Sequence, residues 1–317
     1  MQQFEYIRCH GSGNRFVMID AVRDAECLAQ CDPAALARAA CRLDGGTDGL
    51  LLLVGCGAEY GMRMFNPDGS EAEMCGNGIR CVARLAHERY GTGGRFALWS
   101  GGRRYDISHL DPLPGAIPVY GAVIPVGRAS ADFAGSSDGL TGAPLPELDP
   151  DLSFTFLDLG NPHLVARVDA VDFDLLRRLG ERVVTLRSLF PRGVNVSLFR
   201  CDGRRDLFVA TYERGAGITE SCGTAMTASS TAACLLGACD YDAELRVRNR
   251  GGMVRCRCTA DGGLRTLLAG NATFEADGAF RFDGAQAFPL DGAVRLRGEE
   301  IAAYDAFRAG VASTASR

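Results

Sequence analysis

Two short stretches, Glu73-Met-Cys-Gly-Asn-Gly78 and Glu220-Ser-Cys-Gly-Thr-Ala225, decide how this chain folds. Each sets a glutamate two places before a cysteine and a glycine directly after it. The cysteines, Cys75 and Cys222, are 147 residues apart. The same offset relates Gly13-Asn14 to Gly160-Asn161, Asp48 to Asn195 and Asn66 to Glu213. In a chain with 13 cysteines and 40 glycines a single Cys-Gly match carries little weight. Four ordered motif positions sharing one offset without a gap mark an internal repeat. The sequence therefore predicts two homologous halves, 1–122 and 123–270, with the segment from about 271 to 317 as a candidate to return to the first half.

Working outward, each half shows the same coarse pattern. An early Gly-Asn turn is followed by a helical stretch, Pro33–Cys41 in one half and Phe173–Leu179 in the other. Two strands come next, Leu50–Val54 and Tyr60–Phe65, then Val194–Phe199 and Asp206–Tyr212. A polar loop leads to Cys-Gly and a helix. In the first such helix Ile79, Val82, Ala83 and Ala86 share one face. The second, from Thr224 to about Leu236, is small-sided all round, which suits deep burial. Ala129–Pro150, rich in Gly, Ser and Pro, reads as a connector or surface loop. Beyond residue 270, Ala279–Phe282 and Ala293–Leu296 are strand-like, and Ala312–Arg317 is expected to be disordered.

Composition narrows the chemistry. A length of 317 residues suggests about two domains. All 34 basic residues are arginine, which excludes any reaction needing a lysine of the chain itself, such as a pyridoxal-phosphate Schiff base or a Walker-A phosphate clamp. A net charge of −5 without a basic run argues against nucleic acid or a polybasic membrane contact as partner. The N-terminal Met-Gln-Gln-Phe-Glu-Tyr lacks the pattern of a signal peptide. The longest clean apolar run, Leu50–Val54, falls far short of the ~20 residues of a spanning helix. The odd number of scattered cysteines points to reduced thiols and a cytoplasmic protein. Cys27/Cys31 and Cys256/Cys258 do not have zinc-ribbon spacing, so no structural metal is expected. Gly11-Ser-Gly13 lacks the third glycine of a dinucleotide fingerprint.

A cysteine at a helix start meets unpaired N–H groups and partial positive charge, which can draw its pKa down to roughly 3.5–7.5. The N–H groups of Gly76-Asn77 and Gly223-Thr224 suit a carboxylate. Pseudo-twofold symmetry predicts that the two half-sites face one another, so that a thiolate and a thiol flank one small anionic substrate. One removes a proton from carbon and the other returns a proton to the opposite face, which inverts the centre with no cofactor.

The motifs His10-Gly-Ser-Gly-Asn14, Phe65–Cys81, Gly160-Asn-Pro-His163, Gly193-Val-Asn195, Glu213-Arg-Gly-Ala-Gly217 and Ser221-Cys-Gly-Thr224 resemble those of the diaminopimelate epimerase family and related cofactor-independent racemases. The resemblance covers most of residues 4–270. It implies an α+β fold of two pseudo-symmetric domains, each a mixed or antiparallel sheet wrapped around a central helix. It implies Cys75 and Cys222 as acid and base, and His163 and Glu213 beside the reacting centre, contacting the substrate amine or tuning the thiols. Gly76, Asn77, Gly223 and Thr224 would take the carboxylate at the reacting centre. Asn14, Asn66, Asn161, Asn195 and Arg214 would fix the rest of the substrate, with Arg214 gripping a distal carboxylate bidentately. It also implies a homodimer, a small amino-acid substrate, and a Cys75–Cys222 disulfide as an oxidised, inactive form.

Blander roles stand beside these. Asn14 and Asn161 follow glycines and suit turns, His163 follows a proline and can cap one, and Asp48 and Asp68 read as turn and capping residues. Cys81 reads as core. The chain also departs from the family pattern at Arg15, Asp44-Gly45-Gly46, Ile218, Ala225-Met226 and Asn271. None touches the two thiols, but several lie near the expected pocket, which leaves racemisation of another amino acid, such as histidine for an opine metallophore, as the second reading. A catalytically silent amino-acid-binding protein is opposed by the retained thiol pair, and a thiol–disulfide oxidoreductase by the lack of C-x-x-C. A phenazine-type isomerase would lack the pair. A proline racemase would have His where Asn77 stands.

Overall fold

The computed structural model describes residues 1–128 and 139–315. The stretch 129–138 of the expected connector, and residues 316–317, lie outside the described residues. The chain divides into two compact units, Met1–Ala122 with Ala269–Gly310, and Val123–Leu268 with the segment from Val311.

In the first unit the strands run in the order Thr273–Phe282, Gln2–Gly11, Asn14–Asp20, Gly49–Cys56, Glu59–Phe65, Arg95–Ser100 and Arg103–Leu113. The junctions of Asn14–Asp20 with Gly49–Cys56 and of Glu59–Phe65 with Arg95–Ser100 are parallel, and the rest are antiparallel. The second unit repeats that alternation with Ala143–Leu145, Asp149–Asp158, Pro162–Arg167, Asn195–Cys201, Asp206–Glu213, Leu245–Asn249 and Gly252–Thr259. Short strands Glu71–Ala72 and Gly217–Thr219 pair with the equivalent strand of each half. The fold is α+β, and the repeat read from the sequence is a repeat of topology.

Both faces of each sheet are covered, and the strand sequences show why. Leu50, Leu51, Leu52 and Leu53 are all buried. Side chains alternate faces along a strand. Leu50 and Leu52 pack with Leu36, Ala37 and Ala40 of the helix Pro33–Ala40. Leu51 faces the central helix Gly78–Tyr90, where a Cβ added to Gly78 would lie 2.7 Å from its Cδ2. In the second unit Val196 and Leu198 pack against Leu176 and Leu179 of the helix Phe173–Val183. Both outer helices begin at an aspartate, Asp32 or Asp172, whose carboxylate accepts two first-turn N–H groups.

The two central helices meet burial differently. In Gly223–Leu235 every residue through Cys234 is buried. Three of its hydroxyls are accommodated by back-bonding, Thr227 donating to Gly223 O (2.9 Å), Ser230 to Met226 O (2.8 Å) and Thr231 to Thr227 O (2.9 Å), while Ser229 Oγ has no hydrogen-bond partner among the described residues. Gly78–Tyr90 buries two arginines, Arg80 and Arg84, on hydrogen bonds described below. It ends at Gly91, whose φ of 63° is the left-handed cap that glycine provides.

Two expectations are corrected. The part of the Ala129–Pro150 connector that is described carries strand Ala143–Leu145 and the start of Asp149–Asp158, with Leu140, Leu145 and Leu148 buried in the second core. The C-terminal segment is helical from Gly298 as far as Ala315, so the helix reaches into the stretch expected to be disordered from Ala312.

Candidate active site

Both catalytic candidates stand at the entrance to a central helix in the same backbone setting. The Ile79 N–H donates to Cys75 O (2.9 Å) and the Met226 N–H to Cys222 O (3.0 Å), at the repeat offset. The Cys75 sulfur accepts the Gly78 N–H at 3.3 Å, and the Ala225 N–H bonds to the Cys222 sulfur. These first-turn donors precede the regular helical ladder, as required for an anion site at a helix start.

The asparagines repeat as well. In the first half Asn77 Nδ2 donates to Asn14 Oδ1 at 3.3 Å. In the second, Asn161 Nδ2 donates to Thr224 Oγ1 at 3.3 Å. These four residues correspond pairwise at the same offset. Asn14 sits in the tight turn expected for it and also reaches the cysteine loop. Gly11 permits that approach, because a Cβ there would lie 2.9 Å from Asn77 O and 2.7 Å from Arg80 Nη2.

Asp48 has a larger part than a turn residue. Its Oδ2 accepts Asn14 Nδ2 (2.8 Å) and the Arg15 N–H (2.7 Å), which orients the Asn14 amide towards Asn77. Its counterpart Asn195 accepts the Arg214 N–H at 2.9 Å. The common offset of Asp48 and Asn195 was the sequence signal for this role. Asp68 does hold a turn, its Oδ1 accepting the Ser70 N–H at 2.8 Å.

Glu213 and His163 gather at the second cysteine. The Glu213 carboxylate hydrogen-bonds the Cys222 thiol and accepts the Thr219 hydroxyl at 2.5 Å. His163 is fully buried, and its Nε2 lies 3.0 Å from Thr224 Oγ1 and 3.2 Å from Asn161 Oδ1. Thr224 Oγ1 is in turn 3.5 Å from Cys222 Sγ. Nδ1 of His163 has no hydrogen-bond partner among the described residues. Burial lowers the imidazole pKa to about 3, so the ring is neutral.

Burial, and then the Glu213 carboxylate, push the Cys222 thiol well above its ordinary pKa, while the Thr224 hydroxyl and the Ala225 N–H pull the other way without prevailing. Cys222 is held as a thiol, not as the thiolate that a helix start alone would favour. Cys75 is only partly buried. Neither cysteine forms a disulfide.

Two expected residues stand apart from these clusters. Asn66 donates to Ser70 Oγ at 2.9 Å and so holds its own turn. Arg214 is exposed and donates to Arg192 O beside Gly193, where a Cβ would lie 2.6 Å from Arg214 Cδ. Among the described residues no group of three or more His, Cys, Asp or Glu side chains is arranged to hold a metal ion. Sequence reasoning missed Arg80, which is buried and donates to Gly76 O at 2.8 Å and to Asn77 Oδ1 at 3.1 Å.

The doubled fold has counterparts among solved structures. A Bacillus anthracis phenazine biosynthesis protein of the PhzF family superposes with a TM-score of 0.63 at 16% identity, over 89% of this chain and 100% of that one. A hydroxyproline epimerase from Agrobacterium vitis superposes with a TM-score of 0.59 at 13% identity, over 92% and 94%. At such identities the likeness is one of fold. Among curated sequences, the diaminopimelate epimerase of Clostridium acetobutylicum is 34% identical over 292 residues, spanning 89% of this chain and 86% of its own length. That of Ligilactobacillus salivarius is 35% identical over 290 residues, spanning 85% and 87%. With both thiols retained on this fold, the chain is an isomerase of the epimerase and racemase class. Residues 6–103 and 155–275 match the sequence profile of diaminopimelate epimerase, and the chain belongs to the diaminopimelate epimerase family.

Proposed function

We propose that this chain interconverts LL- and meso-diaminopimelate by a two-thiol mechanism, in the supply of lysine. The observation that carries the reading is the pair of equivalent cysteine loops, each with an asparagine or threonine locked to an asparagine of the neighbouring turn. The first-turn N–H groups at Gly76-Asn77 and Gly223-Thr224 bind the carboxylate on the reacting carbon and stabilise the charge that develops when its proton leaves. The Cys75 thiolate takes the α-proton. The Cys222 thiol, kept protonated beside Glu213, returns a proton to the opposite face, and the new Cys222 thiolate serves the reverse reaction. The buried, unpartnered Nδ1 of His163 supports a polar substrate group in the second half. Asn14, Asn66, Asn161, Asn195 and Arg214 hold the remainder of the substrate, with Arg214 on the distal carboxylate.

The same reading treats the halves 1–122 and 123–270 as two domains, in a homodimer acting in the cytoplasm. The family resemblance supports the dimer, and sedimentation equilibrium tests it. Among the described residues no helix is long and apolar enough to cross a membrane.

The decisive experiment is proton NMR of the reduced protein in D2O with diaminopimelate, histidine and a panel of L-amino acids, each alone. Loss of the α-proton signal with diaminopimelate alone supports the assignment. Loss with another amino acid alone keeps the two-thiol mechanism and removes the substrate. No exchange with any of them, with both thiols free, leaves an amino-acid-binding protein.

A further inference from the structure

The match to the family profile ends at residue 275, yet the chain continues into an 18-residue helix, Gly298–Ala315. In the first unit this helix is tied to the central helix that begins after Cys75. Glu300 is the first tie. It pairs with the Arg84 guanidinium, its Oε2 3.1 Å from Nη2, and its Oε1 accepts the Phe274 N–H at 2.7 Å. Arg84 also donates to Ala272 O at 2.7 Å and lies 3.9 Å above the Phe274 ring. Tyr304 is the second tie. It is buried and meets the His10 ring edge-on, with ring centroids 4.4 Å apart.

From these ties a continuous set of buried polar groups leads to the cysteine loop. His10 Nδ1 accepts the Gly13 N–H at 3.2 Å and lies 3.3 Å from Asn271 Nδ2. Asn271 Nδ2 donates to His10 O (3.2 Å) and Thr273 Oγ1 (2.8 Å), and Oδ1 accepts the Ser12 N–H at 2.8 Å. Arg80 donates to Asn271 O (3.1 Å) and Ser12 Oγ (3.2 Å) on one side, and to Gly76 O (2.8 Å) and Asn77 Oδ1 (3.1 Å) on the other. A guanidinium has five donors in a rigid fork, so acceptors fixed on one side fix the loop on the other.

We propose that the C-terminal helix is a positioning element of the Cys75 half-site, with Glu300 and Tyr304 as positioning residues that act through Arg84, His10 and Asn271 on Arg80, and so on the Gly76-Asn77 loop. The inference rests on the proposed function only in naming that loop as a carboxylate site. The alternative role, a brace for the fold as a whole, would affect both cysteines together.

The test uses full-length Glu300→Ala and Tyr304→Ala. Each is alkylated with limiting iodoacetamide, without substrate, and the labelling of Cys75 relative to Cys222 is read in the same sample by peptide mass spectrometry. Losing about one hydrogen bond's worth of restraint at the loop is expected to change the ratio about three- to tenfold and to raise KM by a similar factor, with a smaller effect on kcat. Glu300→Gln, which keeps an acceptor for the Phe274 N–H, is expected to restore most of the ratio. Folded variants with the wild-type ratio overturn the proposal. So does a parallel change at both cysteines, or a loss of folding in both alanine variants that Glu300→Gln shares. The labelling needs no substrate, so it decides this inference even if diaminopimelate proves not to be the substrate.

Discussion

His10 and His163 are both buried, and burial above all lowers each from 6.5 to about 3; arginine charge adds to the effect at His10, while at His163 the Asp158 carboxylate opposes it without prevailing. The folded protein therefore refuses two protons that the unfolded chain accepts as pH falls through 6.5. Stability from these groups is complete above pH 6.5, declines from there towards pH 3 and changes no further below it. Each histidine removes about 1.4 kcal/mol per pH unit in that window. At pH 5 the pair removes about 4 kcal/mol, against a total of roughly 5–15 kcal/mol for a domain. Urea unfolding followed by circular dichroism at pH 8, 7, 6 and 5 gives the slope of stability against pH. His10→Asn keeps an acceptor near the Gly13 N–H, and His163→Asn keeps a polar group near Thr224, while neither can titrate. Each lowers stability at pH 8 through lost packing, but each flattens the slope between pH 6 and 5 by about 1.2–1.4 kcal/mol per pH unit. Single variants with the wild-type slope would show that these rings are protonated in the native state and would refute the reasoning.

Cys75→Ala and Cys222→Ala are each expected to abolish inversion by more than about a thousandfold, read by polarimetry or chiral chromatography; near-full activity in either would sink the two-thiol mechanism. Glu213→Gln removes a negative charge from the Cys222 thiol, so its pKa falls and alkylation of Cys222 at pH 7.5 rises about tenfold while inversion is lost; unchanged labelling would contradict the assigned role. Gly180→Ala would place a Cβ 2.1 Å from the Tyr212 ring. Thermal unfolding should show a loss of about 1–3 kcal/mol from that overpacking, and a wild-type melting temperature would count against it.

The topology was legible because a repeat multiplies weak signals: each half supports the reading of the other. The asparagines were picked out for the same reason, since Asn14 and Asn161 share the repeat offset, but their contacts with Asn77 and Thr224 were not read from the sequence. What escaped the sequence was burial that runs against residue type. Arginines within a helix normally face water. Here the sheet wraps the helix, and Arg80 and Arg84 are satisfied by acceptors about 190 residues away in sequence, Asn271 O and Ala272 O. Asp48 was read as a turn residue because its partner Asn14 lies 34 positions earlier, across a parallel strand pair. Which of the two cysteines is held protonated was not legible, because helix-start charge is visible in a sequence, whereas desolvation and a carboxylate from the neighbouring strand are properties of the fold.

The surroundings of Cys222 show where the symmetry breaks. The strand pairings Phe65 with Glu71 and Tyr212 with Ile218 are equivalent, so Asn66 and Glu213 occupy matching places just beyond them. One is neutral and turns onto Ser70, while the other is charged and bonds the cysteine thiol. An enzyme that inverts a centre needs one group that gives a proton and one that accepts it, and two identical thiol sites would share a single affinity for protons. A carboxylate at only one of two equivalent places separates them, because it favours the protonated form of its own cysteine and has no counterpart at the matching place in the other half. The double variant Asn66→Glu, Glu213→Asn tests whether position alone confers that preference. If it does, Cys75 becomes the slowly alkylated thiol and Cys222 the fast one. If Asn66→Glu leaves Cys75 labelling unchanged, the preference belongs to the burial of Cys222, and the carboxylate is secondary to it.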